Sequence, residues 1–183
     1  MRVHLLLPLA SFAAVAFAQQ FEGENLAPYV PSPQIVVDKM LEAAHIKPGE
    51  TVYDLGSGDG RIVITAAQKY KAKSVGIEIS DVLCQSTVKK IAAMGLESQV
   101  KIVHGSALKV DLSPADVVTI YLLTGSNERL RPNLEKYLKS SARVVSLNFR
   151  IQGWKEARVE KVIADRQTHI IYVYEISALN LKR

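Results

Sequence analysis

The stretch "VYDLGSGDGRIVI", residues 52–64, sets Gly56, Gly58 and Gly60 in alternation between two apolar runs. Each glycine costs backbone entropy and offers the core no side chain, so something at that turn must offset the loss. A strand, a glycine turn and a helix start in succession aim backbone N–H groups outward at the positive end of a helix dipole, where a negative group is favoured. Ser57 and Asp59 fill the gaps between the glycines. Two carboxylates flank the turn. Asp54 stands just before it, and Glu78 ends the next strand-like run, "SVGIEI". A carboxylate at Glu78 can accept both hydroxyls of a ribose, and one at Asp54 suits a ligand carrying an ammonium.

Two ligand classes compete for such a turn. The dinucleotide pattern G-x-G-x-x-G/A puts its third small residue at position 61, which is Arg61 here. NAD also has no ammonium for Asp54. S-adenosylmethionine has one, with a carboxylate for the turn's N–H groups and a ribose for Glu78. A turn built only for its own shape, with no ligand, is the remaining reading.

Alternating elements position these residues. Pro28, Pro31 and Pro33 keep residues 19–34 extended, because the residue before a proline avoids the helical region. Ser32 then predicts an N-cap with Pro33 at the first helical position, and Ile35, Val36, Met40, Leu41 and Ala44 continue at helical spacing. Strands are predicted over 51–55, 74–79, 100–104, 115–122 and 142–149. Helices are predicted over 60–70, 82–94 and 128–138. The last two runs, 157–164 and 169–176, have no helix between them and predict a hairpin. The pattern is that of an α/β, Rossmann-like, three-layer αβα domain: a mostly parallel sheet of seven strands with an antiparallel strand near one edge. In such sheets ligands sit beyond the carboxyl ends of the strands where strand order reverses, and residues 56–60 fall there.

"DLGSGDGRIVI", "GIEIS" and "ADVVTIYLL" resemble the motifs of class I, seven-strand S-adenosylmethionine-dependent methyltransferases, over nearly all of residues 28–177. "YVPSP" ahead of a helix and "DLGSGDGRIVI" resemble, more narrowly, the ATP synthase c-subunit lysine methyltransferase group and, more distantly, the core of the non-SET histone lysine methyltransferase. The resemblance implies S-adenosylmethionine as cofactor, with Asp54, Gly56, Ser57, Gly58, Asp59 and Gly60 at its methionine end and Glu78 at its ribose. It places Ser106, in "VHGSAL", at the adenine amino group, where the class usually has an acidic residue and this chain a weaker acceptor. It places Tyr121, in "IYLL", beside the reacting methyl; the alternative for Tyr121 is a core aromatic. The Asn/Asp-Pro-Pro-Tyr pattern of amide and adenine methyltransferases is absent from that position. Tyr29 would close over the cofactor. The expected acceptor is a protein lysine, with a small-molecule acceptor or a non-catalytic nucleotide-binding module as alternatives.

Methyl transfer from a sulfonium needs alignment in a dry slot more than covalent help, so no nucleophile–base triad is expected. His45, His104 and His169 lack metal-ligand spacing, and Trp154 is expected in the core. The 183 residues, 48% hydrophobic and 22% charged, suit one globular domain, here 35–183. A single cysteine, Cys84, rules out an intramolecular disulfide and a paired-cysteine zinc site. The net charge of +5 is spread along the chain and is no nucleic-acid footprint. "MRVHLLLPLASFAAVAFAQQ" combines Arg2, a short apolar run and Ala16-Phe17-Ala18, the pattern of a signal peptide over 1–18. That predicts export, or anchoring through an uncleaved leader, with no membrane span in the remainder.

Overall fold

The computed structural model describes residues 21 and 23–179. The predicted leader, 1–18, and the last basic cluster, 181–183, lie outside the described residues. The chain runs α1 (Gln34–Ala43), β1 (Thr51–Leu55), α2 (Arg61–Tyr70), β2 (Lys73–Glu78), α3 (Asp81–Ala93), β3 (Val100–His104), β4 (Val117–Ile120), α4 (Thr124–Tyr137), β5 (Arg143–Leu147), β6 (Arg158–Ala164) and β7 (Gln167–Glu175), then a 3₁₀ turn at Ile176–Leu179.

The strands form one seven-stranded sheet in the order β3-β2-β1-β4-β5-β7-β6. β1 pairs in parallel with β2 and β4, β2 with β3, and β4 with β5; β7 runs antiparallel to both β5 and β6. The expected hairpin is therefore present, and its antiparallel strand lies one place in from the edge. Strand order reverses between β1 and β4, which puts the glycine turn at the switch point.

β4 shows why a central strand reads as a continuous apolar run. All of its residues are buried, with Val117 in the core under α1 and α2 and Val118 and Ile120 in the opposite core with Leu130 and Leu134 of α4. Trp154 is in that second core, edge-on to Tyr174 with ring centroids 5.6 Å apart, and its Nε1 donates to Glu135 Oε1 at 3.0 Å.

Three expectations need correction. Ser32 does not cap α1; Pro33 holds the N-cap position, and the Ser32 carbonyl instead accepts from Arg61 Nη1. Ile35 is 53% exposed, and the buried face of α1 is Val36, Val37, Met40 and Leu41. α4 begins at Thr124, earlier than predicted. "TGSN" reads as loop by propensity, yet Ser126 Oγ bonds the Leu26 carbonyl and Asn127 Nδ2 donates to the carbonyls of Phe149 at 3.1 Å and Arg150 at 3.3 Å. Tertiary partners override local preference there.

Candidate functional site

The turn after β1 is shaped by the fold around it. Gly58 has φ +55° and Gly60, the N-cap of α2, φ +73°, conformations that side chains with a Cβ rarely adopt. A Cβ on Gly58 would lie 2.6 Å from the Tyr29 ring, and one on Gly60 would collide with Thr87 Cγ2. Over Gly58 the structure places the Tyr29 ring.

Four of the turn's N–H groups are also committed. Gly56 and Ser57 donate to the Ile77 carbonyl at 2.9 and 3.0 Å, Gly58 to Glu78 Oε2 at 2.8 Å, and Gly60 to the Ser57 carbonyl at 2.9 Å. What the turn offers a ligand is shape and close approach. Gly76 in β2, which the sequence reading passed over, supports it from below: a Cβ there would meet Ser57 Oγ at 2.6 Å.

The two carboxylates differ. Glu78 is buried and accepts two backbone donors, Gly58 N–H through Oε2 and Ser80 N–H through Oε1, each at 2.8 Å. Asp54 is 3% exposed and accepts from Thr119 Oγ1 at 2.7 Å. Burial pushes its carboxyl up to about 7, against the lowering effect of the Thr119 hydroxyl and with the Glu78 and Asp59 charges adding to the rise. Among the described residues no ion pair reaches Asp54. Asp59 is answered: Arg61 Nη2 lies 2.8 Å from its Oδ2, and that hydrogen bond holds its carboxyl below the ordinary value.

These groups open on a cavity of about 230 Å³ at the carboxyl ends of β1, β2 and β4. Asp54, Gly56, Ser57, Gly58, Asp59 and Glu78 line it; Gly60 lies beneath the turn as the start of α2. Tyr29, 49% exposed, lines it from the N-terminal segment, which forms one wall along residues 24–32. Ser106 is buried behind the wall made by its neighbours Gly105 and Ala107, its Oγ accepting the Leu108 N–H at 3.3 Å. Tyr121 lines the cavity, stacks on Phe149 with ring centroids 6.4 Å apart and 26° between planes, and rests on the core under α1. It is both a cavity wall and a packed aromatic. Phe149 and Glu24 belong to the site region without having been singled out from sequence, because no spacing signal ties residue 149 to 121 or residue 24 to 106.

Other reactive groups stand aside. The Cys84 thiol donates to the Glu78 carbonyl at 3.4 Å and is pushed up to about 11, mainly by burial, so it is no thiolate at neutral pH. His104 Nε2 lies 3.0 Å from the Ile79 carbonyl, His169 Nδ1 3.3 Å from Asn148 Nδ2, and His45 beside Arg158. Among the described residues no cluster of three His, Cys, Asp or Glu could hold a metal, and no helix is long and apolar enough to cross a membrane.

Comparison with known proteins follows the same lines. Residues 54–158 match the ANTKMT methyltransferase domain. The chain is 47% identical over 150 residues to a protein-lysine N-methyltransferase of Saccharolobus islandicus, covering 81% of this chain and 93% of that protein. It is 30% identical over 149 residues to the adenine nucleotide translocase lysine N-methyltransferase of Mus musculus, covering 81% of this chain and 63% of that one. A crystal structure of an RNA methyltransferase from Salinibacter ruber in complex with S-adenosyl-L-homocysteine superposes with a TM-score of 0.76 at 38% identity, over 84% of this chain and 100% of that one.

Proposed function

This chain belongs to the ANTKMT methyltransferase domain family, and from that premise we propose that it is an S-adenosylmethionine-dependent protein-lysine N-methyltransferase whose cofactor lies in the cavity beside the glycine turn. The observation that carries the cofactor reading is Asp54: a carboxylate 3% exposed, facing a cavity, with a hydroxyl and, among the described residues, no cation as its partner. An ammonium completes it. Glu78 retains lone pairs beyond its two backbone donors and accepts the ribose hydroxyls. Gly56, in the cavity wall without a side chain, admits the methionine chain to the backbone.

When bound, S-adenosylmethionine supplies a methyl group on a sulfonium, open to displacement by an amine. The chain's own part is alignment and exclusion of water. Tyr121, held by its stack on Phe149, forms the wall where an acceptor side chain enters, and Tyr29 covers the turn from outside. An amine drawn between such aromatic walls loses its proton more readily than in water, because burial disfavours the charged form. Neither tyrosine needs to act as a base.

The lysine acceptor rests on the Saccharolobus relative, which covers nearly the whole domain. The Salinibacter neighbour favours a second reading, an RNA acceptor. Transfer of labelled methyl from S-adenosylmethionine into an extract separates them. Label surviving acid hydrolysis as methyl-lysine supports the first, label released by ribonuclease the second, label on small molecules a third, and cofactor binding without transfer a non-catalytic module. The pattern in residues 1–18 supports export of the mature chain, with an uncleaved anchor as the alternative; N-terminal sequencing of the purified protein tests it.

A further inference from the structure

The chain leaves β5 through a strained turn. Phe149 N–H donates to the Leu147 carbonyl at 2.8 Å, closing a three-residue turn centred on Asn148, whose φ is +60°. Three-residue turns of that hand are rare and cost energy in a residue that carries a Cβ. Among the described residues five other than glycine have positive φ, and four of them have ordinary places: His45 follows α1, Lys71 ends α2, and Asp165 and Arg166 join β6 to β7. Asn148 stands instead at the carboxyl end of β5, which runs parallel to β4 and so ends on the cavity side of the sheet. Strain at such a place has to be held by its surroundings, and Asn148 is held from two sides. Toward β7 its N–H donates to the Ile170 carbonyl at 2.7 Å, its Oδ1 accepts the Ile170 N–H at 2.9 Å, and its Nδ2 faces His169 Nδ1 at 3.3 Å. Toward α4, the Phe149 carbonyl accepts from Asn127 Nδ2 at 3.1 Å and from Ser146 Oγ at 2.6 Å.

What this turn delivers is the Phe149 ring. Ile120 pairs with Ser146, so a β5 that ran straight on would bring residue 149 level with residue 123, about 7 Å past Tyr121. The turn at Asn148 folds the chain back instead, and the ring lies on Tyr121 with centroids 6.4 Å apart and 26° between planes. Tyr121 lines the cavity, and Phe149 is the aromatic stacked on it there. We infer that Asn148 is a positioning residue for methyl transfer: its side chain stabilises the left-handed turn that sets Phe149 on Tyr121, and so fixes the wall along which the acceptor amine meets the methyl group. Asparagine suits the place twice over. Its short side chain tolerates a left-handed backbone better than most, and its amide offers an acceptor to Ile170 and a donor to His169 at once. In-line transfer depends on alignment to within about an ångström, so a wall displaced by a relaxed turn costs rate without touching the cofactor's own contacts at Asp54 and Glu78.

This inference rests on Tyr121 as the acceptor wall, and its test separates the two. Initial rates of labelled methyl transfer from S-adenosylmethionine into one cell extract, and S-adenosylhomocysteine affinity by calorimetry, are compared across the full chain and its variants. The variants are Asn148→Ala, Asn148→Asp, Phe149→Ala, the pair Asn148→Ala with Phe149→Ala, and Tyr121→Ala. Asn148→Ala should lower the rate about tenfold or more with the affinity held within about twofold. Asn148→Asp keeps the acceptor for the Ile170 N–H and the tolerance of positive φ, and should recover to within about threefold of native. Phe149→Ala should lose about as much as Asn148→Ala, and the pair little more than either alone, because the two act through one wall. Where Asn148→Ala does not fold, Asn148→Gly, which takes positive φ freely but lacks both side-chain bonds, replaces it in the comparison. A native rate in Asn148→Ala, no recovery in Asn148→Asp, losses that multiply in the pair, or a parallel fall in S-adenosylhomocysteine affinity overturns the role of Asn148 and leaves Tyr121 as the wall. A native rate in Tyr121→Ala, or no transfer by the native chain, removes both.

Discussion

The floor of the cavity and its outer wall hold their polar groups in opposite ways. On the floor, at the ends of β1 and β2, a few residues close on one another: Glu78 accepts from Gly58 and Ser80, and Gly56 and Ser57 donate to Ile77. Those contacts join neighbouring strands of one sheet, so the floor is as rigid as the sheet. The outer wall, residues 24–32, belongs to no helix or strand. It is fastened at separate points by side chains from distant elements, Arg61 on Ser32, Ser126 on Leu26, Arg129 on Gly23 and Lys109 on Glu24. The floor should dictate whether cofactor binds at all, and the wall should tune how selectively and how tightly.

The largest expected effect is at the floor. Asp54→Ala should weaken S-adenosylhomocysteine by about two orders of magnitude, since it leaves the ligand's ammonium without its buried partner. A loss confined to severalfold would mean that the ammonium lies elsewhere. The same residue sets a pH signature. Burial pushes Asp54 up to about 7 from the ordinary 3.8, so between those values the ligand-free folded chain holds a proton that the unfolded chain has released. Its contribution to stability is greatest below pH 4 and is lost as pH rises to about 7. Cofactor affinity should climb over the upper part of that window, with a proton released on binding. Asp54→Asn should flatten both profiles in urea titrations and calorimetry.

Next comes the joint between the two regions. Gly58→Ala should cost about 1–2 kcal/mol from its left-handed backbone, with a further loss from collision with Tyr29. Adding Tyr29→Ala should return the collision part and leave the backbone part, so the pair should be non-additive in denaturant unfolding. Strict additivity would show that the ring yields freely. On the acceptor side, Tyr121→Ala should lower methyl transfer severalfold or more while leaving S-adenosylhomocysteine affinity nearly unchanged, a split read by comparing kcat with Kd. The smallest effect belongs to a single fastening of the wall. Ser126→Ala should cost about 1 kcal/mol or less in stability and leave the floor's pH profile intact.

The floor was legible from sequence because its parts are local: a strand, a turn and a helix lie within residues 52–64, and Glu78 follows at the end of the next strand. Glycines at 56, 58 and 60 announced an unusual backbone, but not its cause. Tyr29 packs against Gly58, and Thr87 would block a side chain on Gly60, contacts made across long stretches of chain. The start of α4 was missed for the same reason. Asn127 is helical because its amide ties down the turn after β5, which no window around residue 127 contains.

Taken by themselves, the residues determined the element order, the parallel sheet and the place where a ligand must lie, because periodicity and turn chemistry act between near neighbours. Only the tertiary structure decided that Asp54 is buried with the Thr119 hydroxyl as its partner and that Tyr29 covers Gly58. Charge, burial and close approach depend on what distant segments bring to a point in space, and a string of letters carries no distances.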